Sequence, residues 1–170
     1  MIDIAKIWHD AAHRGPPVLV KRQKGDLLLR MTFSKDNRSL IEGSGRADWL
    51  LRWNKGGQYW SAPRSWFSTL TKRLIERHGH VWVIQEAEDD STLQPCAAAC
   101  MHAKGLDCVC GCGGKNHGLG DPDGWAHAVT DSGVVEWRGR QYTCRFFRPH
   151  HAGAFVERLS GAEVGRRFSA

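Results

Sequence analysis

The clearest fold signal in the chain is the stretch from Ser61 to Gln85, which reads SAPRSWFSTLTKRLIERHGHVWVIQ. Its apolar residues recur three and four positions apart, as on the buried face of a helix: Trp66, Phe67, Leu70, Leu74 and Ile75. Pro63 is typical of the first turn of a helix and Gly79 is typical of its end, so we predict a helix between them. The apolar run from Val81 to Gln85 then predicts a strand.

Shorter elements are predicted on both sides of this stretch. A short amphipathic helix is expected at residues 4–11, ahead of the Gly15-Pro16-Pro17 break. Further helices are expected at residues 97–104 and 153–160.

Two β-hairpins are also predicted. The first spans residues 18–33 around a turn at Gly25, and the second spans residues 133–147 around a turn at Gly139. Together the elements indicate the α+β class, in a single domain of residues 1–170 with two β-hairpins, three to four helices and a cysteine-rich, metal-ordered loop. The length of 170 residues excludes two large domains, and 41% apolar residues exclude disorder as the main state.

The composition also bears on where the protein acts. No apolar run approaches the roughly 20 residues that a membrane-spanning helix needs, so no membrane partner is expected. The residues after Met1 lack the pattern of a secretory signal, and a reducing, cytoplasmic location is the expectation.

Positive charge is concentrated in the first half of the chain. The whole sequence has a formal net charge of +6, and residues 1–85 contain 15 basic and 7 acidic residues. This surplus favours acidic partners, either nucleic acid or an acidic protein surface. The candidate nucleic-acid-binding residues are Lys21, Arg22, Lys24, Arg46, Arg52, Lys55, Lys72 and Arg73.

Tryptophans alternate with cations between Gly43 and Trp60. Two interpretations are open for Trp49 and Trp53. They can serve as base-stacking residues beside phosphate-binding cations, or they can pack in the core as two residues of one helical face. The four-residue separation favours the core.

Five of the six cysteines fall between Cys96 and Cys112. In a reducing compartment such clustering indicates metal ligation. The preferred zinc ligands are Cys96, Cys100, Cys108 and Cys112, and Cys110 or His117 can replace a member of this set. An iron–sulfur cluster is less favoured because the spacing matches none of the familiar ferredoxin patterns.

The motif from Cys96 to Gly118 reads Cys-x3-Cys, then Ala-x-Gly, then Cys-x-Cys-x-Cys-Gly-Gly-x-Asn-His-Gly. It resembles a motif of small uncharacterised proteins of phages, plasmids and actinobacterial or archaeal mobile elements. The resemblance implies a mobile-element origin and a compact metal-ordered module at residues 95–118, and it makes Asn116 and His117 candidate functional residues. It implies no particular activity.

Three functions are compatible with these features. The leading one is a zinc-ordered, basic nucleic-acid-binding protein of mobile-element type. The second is a protein-interaction factor, such as a phage inhibitor of a host defence complex. The third is a small enzyme that uses His117, Asn116 or a surplus cysteine.

Overall fold

A seven-stranded sheet forms the centre of the described part of the protein. The computed structural model describes residues 2–43, 48–87 and 127–149. The strands are β1 (Val18–Lys21), β2 (Leu27–Arg30), β3 (Arg52–Asn54), β4 (Tyr59–Ala62), β5 (Val81–Glu86), β6 (His127–Trp137) and β7 (Arg140–Pro149). Their order across the sheet is β3-β4-β2-β1-β5-β7-β6.

The sheet contains one parallel pair, and its other pairs are antiparallel. β1 runs parallel to β5, with Val18 opposite Trp82 and Lys21 opposite Gln85. The pairs β1/β2, β2/β4, β3/β4, β5/β7 and β6/β7 are antiparallel. The β6–β7 turn consists of Arg138 and Gly139, both with positive φ.

Three α-helices are present among the described residues: α1 (Ile4–Ala11), α2 (Asn37–Glu42) and α3 (Phe67–His78). The Asp3 side chain caps α1 by accepting a 3.0 Å hydrogen bond from the Lys6 backbone N–H. Gly79 ends α3 in the left-handed region at φ 75°, where glycine has no steric cost. No described helix is long and apolar enough to cross a membrane.

Alternating side chains of the central strands pack into two cores, one on each face of the sheet. On one face Leu19, Val81 and Val83 pack with residues of α3 such as Leu70 and Leu74. On the other face Val18, Ile84 and Cys144 pack with Ile4 and Ala11 of α1. Because both faces of β1 and β5 are covered, their near-continuous apolar sequences are what a buried parallel pair requires.

The predicted mixture of helices and strands is confirmed, as are the helix that ends before Gly79, the N-terminal helix and the strand that begins at Val81. The expectation that Trp49 and Trp53 share a buried helix face is wrong. Trp53 lies in β3 and Trp49 lies in a short 3-10 turn, and both are exposed. The predicted helices at residues 97–104 and 153–160 and the cysteine-rich loop lie outside the described residues.

Leu70 tests the packing of α3 on the sheet. Its side chain is fully buried, so Leu70→Ala should lower the free energy of unfolding by about 2–5 kcal/mol. Lys72→Ala changes an exposed residue on the same helix and should cost no more than about 0.5 kcal/mol in the same denaturant titration. Equal stability losses in the two variants would contradict this packing.

Candidate nucleic-acid interface

The first candidate surface is the β3–β4 ribbon, which comprises β3, β4 and the turn between them at one edge of the sheet. Trp53 and Trp60 lie directly opposite each other, with ring centroids 5.0 Å apart. Trp60 also lies opposite Leu29 and packs partly against the core under α3. The ribbon therefore presents an indole pair whose inner member is fixed by the core.

Two tryptophans of this region are open to solvent. Trp53 is 46% exposed, and Trp49, in the 3-10 turn Asp48–Leu50 that leads into β3, is 76% exposed. β3 is the edge strand, and its three residues are all exposed. Large aromatic side chains left in water are typical of binding surfaces rather than of cores.

The other face of the ribbon carries a second aromatic cluster. The Tyr59 ring lies 6.0 Å from the Trp8 ring of α1, and the Arg30 guanidinium lies 5.4 Å from the Trp8 ring centroid. The Asn54 side-chain amide donates a 3.0 Å hydrogen bond to the Tyr59 hydroxyl, and the Asn54 side-chain oxygen accepts from the Gly57 backbone N–H. These contacts fix the turn that displays Lys55.

The second candidate surface is a row of cations at one end of the sheet, which we call the basic edge. It comprises Arg22 and Lys24 of the β1–β2 turn, Arg64 after β4, Arg138 of the β6–β7 turn and Arg140 at the start of β7. All five residues are exposed. The strand directions bring these three chain segments together, because β1, β4 and β6 end at the same end of the sheet.

Glu86, at the end of β5, joins the segments of the basic edge. Its side chain is only 3% exposed, and its carboxylate accepts hydrogen bonds from the Arg140 guanidinium and, at 3.1 Å, from the Gln23 backbone N–H. Burial raises the pKa of the Glu86 carboxyl, but these two hydrogen bonds and the charges of Arg140 and Arg22 together hold the pKa below its usual value. Arg64 adds a further link by donating to the carbonyl oxygens of Arg22 and Gln23.

The structure separates the candidate nucleic-acid-binding residues into three groups. Arg22 and Lys24 lie on the basic edge, and Arg52 and Lys55 lie on the β3–β4 ribbon. The remaining described candidates are Lys21, Lys72 and Arg73. Arg46 lies outside the described residues.

That third group has local structural contacts. The Lys21 ammonium lies 4.7 Å from the centroid of the Phe67 ring, and the Arg73 guanidinium donates a 2.7 Å hydrogen bond to the Gly43 carbonyl. Lys72 pairs with Glu76 along α3 at 3.8 Å. Each of these three side chains therefore makes a contact within the fold.

Sequence reasoning missed Arg138 and Arg140 as surface cations of these sites. Arg138 and Arg140 flank Gly139 in a turn that was itself recognisable, so a basic turn between two strands was the available signal. The position of Arg64 beside the β1–β2 turn was not predicted, because it depends on the pairing of β2 with β4.

The candidate metal ligands Cys96, Cys100, Cys108, Cys110 and Cys112 lie outside the described residues, as do Asn116 and His117. Within the part of the chain that the structure describes, no group of three His, Cys, Asp or Glu residues could hold a metal ion. Cys144 is buried in the core on the α1 face, and burial raises the pKa of its thiol to about 12. A thiol in this environment is a poor metal ligand, because ligation requires the thiolate.

Comparisons of the chain with protein families, with curated proteins and with solved structures find no match.

The Glu86 network predicts a specific pH dependence. Because the pKa of the folded Glu86 carboxyl lies below its usual 4.5, its stabilising effect is present above that value and is lost as the pH falls through the folded pKa. Glu86→Gln should lower the free energy of unfolding at pH 7 by about 1–3 kcal/mol. This gap in the free energy of unfolding between the variant and the wild type should become smaller as the pH falls.

Denaturant titrations at several pH values measure this gap. Glu76→Gln, which changes an exposed carboxylate on α3, serves as the control and should stay close to wild type throughout. A gap of constant size from pH 7 to pH 3 would contradict the role assigned to the ionised Glu86.

Proposed function

We propose that this protein binds single-stranded nucleic acid and that the β3–β4 ribbon is its principal contact surface. The observation that carries the proposal is the exposure of Trp49 and Trp53 beside the cations Arg52 and Lys55. Proteins bind single strands by stacking bases on aromatic side chains while cations contact the phosphates.

The geometry of the ribbon supports this mode of binding. Trp53 is held against Trp60, which limits the conformational freedom that the exposed ring would lose when a base stacks on it. Arg52 lies on the other face of β3, and an edge strand is accessible from both faces. A strand of nucleic acid that crosses the edge can therefore meet a stacking surface and a cation within one residue of each other.

The proposal includes the zinc module. We place zinc on Cys96, Cys100, Cys108 and Cys112 in a cytoplasmic protein of mobile-element type, with Cys110 or His117 as substitutes. Support comes from the spacing of the five clustered cysteines and from the burial of Cys144, which leaves the sixth thiol out of the set. In this account zinc orders the module and does no chemistry of its own.

Substitution of the exposed tryptophans tests the ribbon. Trp49→Ala and Trp53→Ala should each weaken binding of a labelled single strand by about tenfold, because stacking contributes about 1–3 kcal/mol per base. Fluorescence anisotropy at about 50 mM salt, a condition that favours phosphate contacts, measures the affinity. Trp49 gives the cleaner result, since its side chain has few packing contacts to lose.

The matched control is Phe33→Ala, which removes an 85% exposed aromatic side chain after β2 and should leave the affinity unchanged. Absence of binding by the wild type at this salt concentration would refute the proposed function. Unaltered affinity in both tryptophan variants would refute the ribbon as the contact surface, and tighter binding of a duplex would refute the assignment to single strands.

Element analysis tests the metal. Protein purified without chelator should contain about one zinc ion per chain, and Cys100→Ser and Cys108→Ser should lower that content. Cys144→Ala is the control for loss of one thiol and should keep the zinc in the folded fraction. Iron in place of zinc, or no metal at all, would contradict the assignment.

A further inference from the structure

We propose that the basic edge is a second contact surface, which binds the phosphates of the same single strand and extends the site beyond the β3–β4 ribbon. This inference rests on the proposed function. It adds Lys24, Arg64 and Arg138 to the interface and makes the length of the bound strand a property that can be measured.

The two surfaces meet at one end of the sheet. β3 runs antiparallel to β4, so Trp49, which precedes β3, lies at the same end as Arg64, which follows β4. Arg64 in turn donates hydrogen bonds to the β1–β2 turn. An exposed indole therefore stands at one end of the row of cations.

The row has the length of several nucleotides. Four strand spacings separate β4 from β7, which amounts to about 19 Å at about 4.8 Å per spacing. The β1–β2 turn, which lies between β4 and β7, contributes cations to the row, and the β6–β7 turn contributes cations at its far end. Binding sites for single strands cover about 4–16 nucleotides, and a ribbon extended by this edge falls in that range.

Contacts within the fold hold the cationic side chains of the basic edge in place, but acidic partners do not neutralise all of the positive charges. Glu86, the acidic partner of Arg140 in the described part of the chain, is nearly buried. Arg64 is fixed by neutral carbonyl groups and so keeps its full charge. Among the described residues of these segments, the exposed acids are Asp26 and Glu136, and the five cations outnumber them.

The backbone conformation of Arg138 favours a role of this residue in binding. Arg138 has φ 52° in a two-residue turn, a backbone region that favours glycine or asparagine. Its guanidinium lies 4.5 Å from the centroid of the Trp137 ring, which holds the charge at the end of the hairpin. Strained backbone of this kind is concentrated at functional sites, which supports a binding role for Arg138.

Strand length separates the two surfaces in an experiment. The double variant Lys24→Gln/Arg138→Gln should bind a single strand of about 4 nucleotides as the wild type does, because so short a strand is held by the ribbon. With a strand of about 16 nucleotides it should bind more weakly. Its plot of log affinity against log salt should also be shallower, by about 0.7 for each lost phosphate contact. The control Arg14→Gln/Lys35→Gln removes two exposed cations elsewhere and should match the wild type with both strands.

A second variant separates weaker binding caused by loss of the cation from weaker binding caused by unfolding. Arg138→Gly removes the cation at a position where glycine is favoured, so it should keep or raise the melting temperature while it weakens binding of the longer strand. The second surface would be overturned if both edge variants bound the longer strand with the affinity and salt dependence of the wild type. This holds even if the tryptophan variants lose binding. Equal losses with both strand lengths would also overturn it, whereas a wild type that binds no strand overturns the proposed function itself.

Discussion

The pairing of β1 with β5 is the constraint on which the rest of the structure depends. The two strands are about 60 residues apart in sequence, and they are the one parallel pair of the described sheet. A parallel pair needs a crossover, and the chain between them, which includes α3, supplies it. Leu19, Val81 and Val83 then face α3, while Val18 and Ile84 face α1, so a single register builds both cores.

The same pairing helps to position the two candidate surfaces. It places the end of β1 beside the end of β5, so that Gln23 reaches Glu86 and, through Glu86, Arg140 of the last hairpin. It also places α3 over the centre of the sheet, where α3 contacts β5 and β7, and leaves β3 as the distant edge. The exposed tryptophans and the clustered arginines are thus two consequences of one arrangement of strands.

Sequence reasoning succeeded where the signal was local. The apolar spacing of α3, the glycine at its end and the apolar run of β5 each depend on a few neighbouring residues. Trp49 and Trp53 were assigned to the core because a four-residue separation fits a helix, but the chain there forms a short 3-10 turn followed by a strand of three residues. Periodicity has little meaning in elements so short, and exposure at a sheet edge depends on the strand order.

The basic edge was beyond prediction for a different reason. Its cations come from three chain segments that are distant in sequence, and they meet only through the pairings of β2 with β4, of β1 with β5 and of β5 with β7. The charge surplus of residues 1–85 indicated a polyanion partner, but it did not include Arg138 and Arg140. The zinc ligands among the clustered cysteines stay a prediction from spacing and compartment chemistry.

Photochemical cross-linking followed by peptide mapping tests the central claim, that the β3–β4 ribbon contacts nucleic acid, most directly. A single strand with a photoreactive base should cross-link to the peptides that contain Trp49 and Trp53, and excess unlabelled strand should abolish the signal. Cross-links confined to peptides from α1 or α3, or no cross-link at a concentration that saturates the protein, would contradict the account.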